Sequence, residues 1–147
     1  MLRRTFVAAL AAAPALYSGP LIYFTGDEAK VVEALTNQII PADDAPGGVA
    51  AGVVFYIDKQ LAGPLSRYAP VYRKTIPMLQ AACQQSAGAV FTELAFEKQT
   101  AFLRQIEHET SSPLASFFAM TIDHTMQGFY GSPEHGGNRD EASWKML

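Results

Sequence analysis

Between Asp27 and Met126 the apolar residues recur three and four positions apart, and each run stops at a proline or glycine. That spacing places one apolar face on a helix, whereas a half-buried strand would alternate every second residue. The first helix is marked by Thr25-Gly26-Asp27-Glu28, a hydroxyl three residues ahead of a carboxylate, which is the arrangement of a capping box. Its apolar face is Val31, Val32, Leu35, Ile39 and Ile40, and Pro41 ends it. PADDAPGG then has the residue types of a turn, with Gly47-Gly48 as turn chemistry. A second pattern runs from about Val49 to Leu61 through Val53, Val54 and Ile57. A third spans about Tyr68 to Ala87 through Tyr72, Ile76, Leu79 and Cys83, with Pro77 predicting a kink or two shorter helices and Gly88 suited to the left-handed end. Phe91, Leu94 and Phe96 anchor a link, followed by a fourth pattern at Phe96, Phe102, Leu103 and Ile106. A fifth, at Leu114, Phe117, Phe118, Ile122 and Met126, starts at Ser112-Pro113 and ends at Gly128. The predicted fold is therefore all-α, a bundle of four to six helices over residues 27–128 with an irregular Gly/aromatic-rich C-terminal tail at 129–147.

Residues 1–26 lack this periodicity. Arg3 and Arg4 are followed by a stretch with no charge until Asp27, rich in Ala and Leu and broken by Pro14 and Pro20. A basic start, an apolar middle and small residues near the end have the layout of an export signal. Arg3-Arg4 with Phe6 resemble the twin-arginine (Tat) motif, read by a translocase that carries folded proteins across the bacterial inner membrane. The competing readings are a cytosolic chain with a hydrophobic N-terminal helix, or an uncleaved anchor that makes the protein a membrane-anchored helical scaffold, since the apolar stretch is about the 20 residues a bilayer needs.

Composition narrows the function classes. An apolar fraction of 49% with 17% charged residues belongs to a globular chain. The formal charge of −3 becomes −5 without the segment holding Arg3 and Arg4. No basic surface is left for nucleic acid, whose phosphates are met by clustered Lys and Arg. The single cysteine, Cys83, excludes an intrachain disulfide, a CxxC pair and a CxxCH haem attachment. It falls on an apolar helix face, as a small buried hydrophobe does.

No side-chain constellation in the body points to catalysis. A di-iron bundle needs Glu-x-x-His pairs aimed inward from two helices, and none occurs. His108 lies between two glutamates, as on a solvated face, while His124 reads as a structurally hydrogen-bonded side chain. Nucleophile elbows and phosphate loops are missing. The remaining concentration is GFYGSPEHGGNRDEASW at 128–144. Gly131, Gly136 and Gly137 permit close backbone approach, Phe129, Tyr130 and Trp144 offer contact area, and Pro133, His135, Asn138, Arg139 and Asp140 add a rigid turn and polar groups. That composition predicts a partner-facing arm, removable without unfolding the bundle. Its rival is an enzyme using His135 with Glu134 or Asp140 as acid and base.

Three stretches taken in order, IIPADDAPGGVAAGVVFYID, VFTELAFEKQ and FFAMTIDHTMQGFYGSPEHGGNRDEASWKM, resemble the gluconate 2-dehydrogenase subunit 3 family. The resemblance implies a small noncatalytic subunit of a bacterial membrane-associated dehydrogenase that oxidises sugars, sugar acids or related alcohols. It implies no cofactor in this chain, FAD in a large catalytic partner subunit, and commonly haem in a cytochrome c subunit. It also implies residence in the periplasm, held at the inner membrane through the complex, and a Tat signal serving the large subunit as folded passenger. The aromatic and polar residues of the tail, from Phe129 to Trp144, would then dock that large subunit.

Overall fold

The computed structural model describes residues 20–147. Among them are five α-helices and no strand: α1 (Gly26–Ile39), α2 (Val53–Leu61), α3 (Ala69–Ala87), α4 (Phe96–His108) and α5 (Pro113–Tyr130). The capping box forms as the sequence predicts, with Thr25 Oγ1 accepting from Glu28 N at 3.1 Å and Glu28 Oε1 from Thr25 N at 2.9 Å. Two of the orphan donors at the start of α1 are thereby satisfied.

Behind Pro41, Gly47 and Gly48 pass so close to the end of α1 that a Cβ on Gly47 would strike the Ile40 carbonyl oxygen, and one on Gly48 would come within 2.9 Å of Thr36 O. The pair thus lets the chain fold back against the helix it has just left. It delays the second helix: residues 49–52 turn, Gly52 takes a left-handed φ of 71°, and α2 starts only at Val53. α3 runs unbroken through Pro77, which lies on the exposed side. There the carbonyl one turn back, deprived of its helical donor, can turn to water, so a single helix survives. Gly88 ends it with φ 83°.

α5 is the central element, packing against all four other helices. Tyr72 of α3 lies wholly buried at the middle, edge-on to Phe117 at 5.2 Å and to Phe24 at 5.7 Å. Cys83 is buried as its periodicity predicts, and burial pushes its thiol pKa up, away from reactivity.

Three expectations are corrected. Gly128 does not end the fifth helix; α5 continues to Tyr130 because Gly128 is the point where α5 meets α2, and a Cβ there would lie 2.8 Å from the Tyr56 ring. Met126, expected on the core face, is exposed. Ile122 packs against the core as expected, but in the second half of α5 the buried stripe is Thr121, His124, Thr125, Gly128 and Phe129, most of it invisible to an apolar pattern; Thr121 is accommodated by donating to Phe117 O at 2.8 Å. Finally, the folded domain starts before residue 27. Phe24 is 5% exposed and Leu21 and Tyr23 pack against the core.

A candidate docking site on a wound C-terminal cap

Residues 131–147 are ordered against one end of the bundle, and they are built from short 3-10 turns at Pro133–His135, Arg139–Glu141 and Trp144–Met146. Their seating on α2 and α5 follows from the glycines. Gly137 lies against the Gly128 carbonyl, with Tyr56 Cβ 3.1 Å from where its own Cβ would be. Gly136, at φ 103°, crosses the Phe55–Tyr56 backbone. Arg139 N donates to Ala51 O at 2.9 Å, and the Arg139 guanidinium stacks over the Phe55 ring at 4.4 Å. The arginine side chain also fills the space over Gly52, where any Cβ would collide with it.

Asn138 is fully buried and organises the rest. Its Nδ2 donates to Gly131 O at 2.8 Å, and its Oδ1 accepts from Ser143 N at 2.8 Å and Ser143 Oγ at 2.9 Å. One side chain thus ties the end of α5 to the last turn. Asn138 itself adopts a left-handed φ of 46°, which asparagine tolerates, and Asp140 and Glu141 share that region at φ 57°. The two acids are exposed and held in a conformation that ordinarily favours glycine.

The residues expected to face a partner therefore divide. Phe129 (0% exposed), Gly137 and Asn138 are interior groups that hold the cap down, and Arg139 and Gly136 brace it against α2. Tyr130 and Trp144, 53% and 44% exposed, are left facing outward with His135, Asp140 and the edge of Pro133. The two aromatics are joined, since Trp144 Nε1 donates to Tyr130 O at 3.1 Å, and Tyr130 stands edge-on to Phe129 at 4.9 Å. Met126, one turn earlier on α5, is exposed on Tyr130's side of the helix. The arm of the sequence reading is thus a cap integral to the bundle. Cutting it away would uncover Phe129 and the α2–α5 contact.

His135 makes no hydrogen bond with Glu134 or Asp140, and Glu134 Oε2 is instead met by Ser132 Oγ at 3.3 Å. His108 is exposed, as expected. Among the described residues no group of three His, Cys, Asp or Glu side chains converges as metal ligands would. No described helix is long and apolar enough to cross a membrane. Arg3, Arg4 and Phe6, expected to form an export motif, lie outside the described residues.

A second concave surface lies on the other flank of α5, a cavity of about 430 Å³ lined by Leu65, Arg67, Tyr68, Met120, Asp123, His124 and Gln127. His124, 4% exposed, reaches from its wall into the core, where Nδ1 is 2.9 Å from the Tyr72 hydroxyl. Burial pushes the Tyr72 pKa far up and the His124 pKa down; Asp123 opposes the latter shift and Arg67 adds to it. A neutral imidazole accepting from the phenol fits both directions. The sign of the linkage follows. Below the ordinary histidine pKa of about 6.5 the unfolded chain takes up a proton that the folded chain refuses, so stability is full above that pH and is lost as pH falls toward the lowered folded value. Denaturant melts between pH 7.5 and 5 should show this decline, and His124→Gln, which can still accept from Tyr72, should flatten it.

Fold and site together define a small all-helical domain whose C-terminus is wound into a cap with an outward aromatic edge. A family model described as Gluconate 2-dehydrogenase subunit 3 matches residues 26–147, and the chain belongs to that family. No curated protein and no solved structure matches the chain.

Proposed function

We propose that this chain is the noncatalytic small subunit of a periplasm-facing, gluconate 2-dehydrogenase-like complex that oxidises sugars, sugar acids or related alcohols. It assembles with and stabilises a large subunit that carries FAD, and a cytochrome c subunit with haem takes the electrons onward. The membership of residues 26–147 in the subunit 3 family carries this reading. The exposed Tyr130–Trp144 edge supports a docking role, because large aromatics on a rigid scaffold supply contact area at low entropic cost. Arg3, Arg4 and Phe6 support export by the Tat translocase, with the folded large subunit as passenger, and residence at the inner membrane through the complex.

The test is co-expression of the C-terminally tagged chain with the products of the genes adjoining its own, followed by a visible spectrum of what is recovered from the periplasm. Flavin absorption in stoichiometric complex is the expected result, and a colourless solitary chain would overturn the subunit reading. In the same strain Arg3→Lys with Arg4→Lys should leave both proteins in the cytoplasm; undiminished periplasmic flavoprotein would remove the passenger role.

A further inference from the structure

The apolar run that resembles an export signal continues in sequence to Gly26, but its last residues are held by a clasp in the folded domain. Asp58 of α2 is 2% exposed, and nothing in its own helix prepares a place for a buried carboxylate. Its oxygens accept three consecutive backbone N–H groups from the chain ahead of α1: Ile22 N to Oδ2 at 2.7 Å, and Tyr23 N and Phe24 N to Oδ1 at 2.8 and 2.7 Å. Three donors in fixed array are what a buried carboxylate needs in place of water.

Further ties hold the same residues. Tyr23 OH donates to Ala69 O at 2.7 Å. Arg73 of α3 donates to Tyr23 O at 2.8 Å, lies 4.2 Å over the Tyr23 ring, and pairs with Glu28 Oε2 at 2.8 Å. Phe24 is driven into the core beside Tyr72. The segment thus connects to α1, α2 and α3 at once.

We infer that residues 20–25 are a permanent strap of the mature domain, and that hydrolytic removal of the N-terminal segment stops at or before the Gly19–Pro20 bond. Hydrolysis adds water across the amide, leaving a carboxylate on the leader and a new ammonium on the domain. A protease must hold several residues of its substrate extended in its cleft, and the bonds from Ile22 to Thr25 can be presented only by pulling Ile22, Tyr23 and Phe24 off Asp58. A cut after Gly26 would strip the buried carboxylate of all three donors. The boundary of the export segment therefore falls at least seven residues ahead of the point where polarity changes, at Asp27. This inference rests on the export reading of residues 1–26 for the removal step and on the strap's own contacts for its limit, and is independent of the dehydrogenase partner.

Limited proteolysis of the purified full chain tests it, with chymotrypsin and thermolysin in separate digests and the new N-termini mapped by mass. Both enzymes have sites on either side of the proposed limit, at Phe6, Leu10, Leu16 and Tyr17 upstream and at Leu21, Ile22, Tyr23 and Phe24 within the strap. The expected result is cleavage at the strap sites slower by about a hundredfold or more in the folded chain than at the same sites in the chain unfolded by urea, as protection by a local opening equilibrium gives. Strap cleavage as fast in the folded chain as in the unfolded one, with the helical core intact, would overturn the inference. In Asp58→Ala the protected boundary should move to the start of α1. Should that variant not fold, Tyr23→Phe combined with Arg73→Gln removes only the outer ties and should accelerate strap cleavage several-fold; a boundary and rate unchanged in the folded variant would refute the clasp.

Discussion

Gly137→Ala is expected to destabilise the protein by about 3 kcal/mol, the upper part of the range for forcing atoms into a packed interior. The added methyl would strike the Gly128 carbonyl oxygen and press on Tyr56 Cβ. Neither obstacle is the far end of a flexible side chain; both belong to the α2–α5 junction. Relief would come from lifting the cap, and with it Asn138, which otherwise holds Gly131 and Ser143, and Arg139, which is stacked on Phe55. Urea unfolding monitored by circular dichroism measures the loss. Gly26→Ala is the control: its Cβ meets nothing within 4 Å, and alanine favours a helix start, so stability should hold or rise. A Gly137→Ala protein as stable as wild type would mean that the cap does not sit on α5 as described.

The same contact explains what could and could not be foreseen from the residues. The helices were legible because their signals are local: the Thr25–Glu28 box, the period of Val31, Val32 and Leu35, and the Ser112-Pro113 start all act within one turn. The tail's glycines signalled close approach, and that is what they provide, but a glycine does not say what it approaches. Gly128 was misread as a helix end because its partner, Tyr56, is 72 residues away. Asn138 and Phe129 looked like recognition groups and proved to be interior, since hydrogen-bonding capacity and aromatic area serve a buried turn as well as an interface.

The role of Asp58 is non-local in the same way. A signal was present: in VVFYIDKQL it stands beside Ile57 and four positions from Val54, an acid on the margin of an apolar face. Its meaning depends on donors some 35 residues upstream, within a stretch whose composition suggests a leader. Composition marks where polarity changes, whereas the domain begins where backbone groups first find buried partners. For this chain those two points differ by several residues.

The division of the cap into interior and exterior groups decides how docking can be measured. Phe129→Ala would cost about 3–5 kcal/mol of stability by opening a cavity in the core, so any loss of partner with that variant would report unfolding. Removal of the whole segment 129–147 has the same defect. Tyr130→Ala and Trp144→Ala, by contrast, remove exposed rings, and the one bond lost, from Trp144 Nε1 to Tyr130 O, is itself at the surface, so stability should change by less than about 1 kcal/mol. If this edge is the centre of the interface, each ring is an anchor worth about 2 kcal/mol, and the double variant should weaken association with the large subunit by about a thousandfold. Trp144→Phe should fall between, keeping ring area but losing the bond to Tyr130 O. The affinities can be read by titrating the purified large subunit with each folded variant in calorimetry. An unchanged affinity in the double variant would move the interface off the cap, to another face such as the one bearing the His124 cavity. A graded loss that leaves the melting temperature in place would fix the aromatic edge as the docking surface and its glycine-seated underside as the support that keeps it rigid.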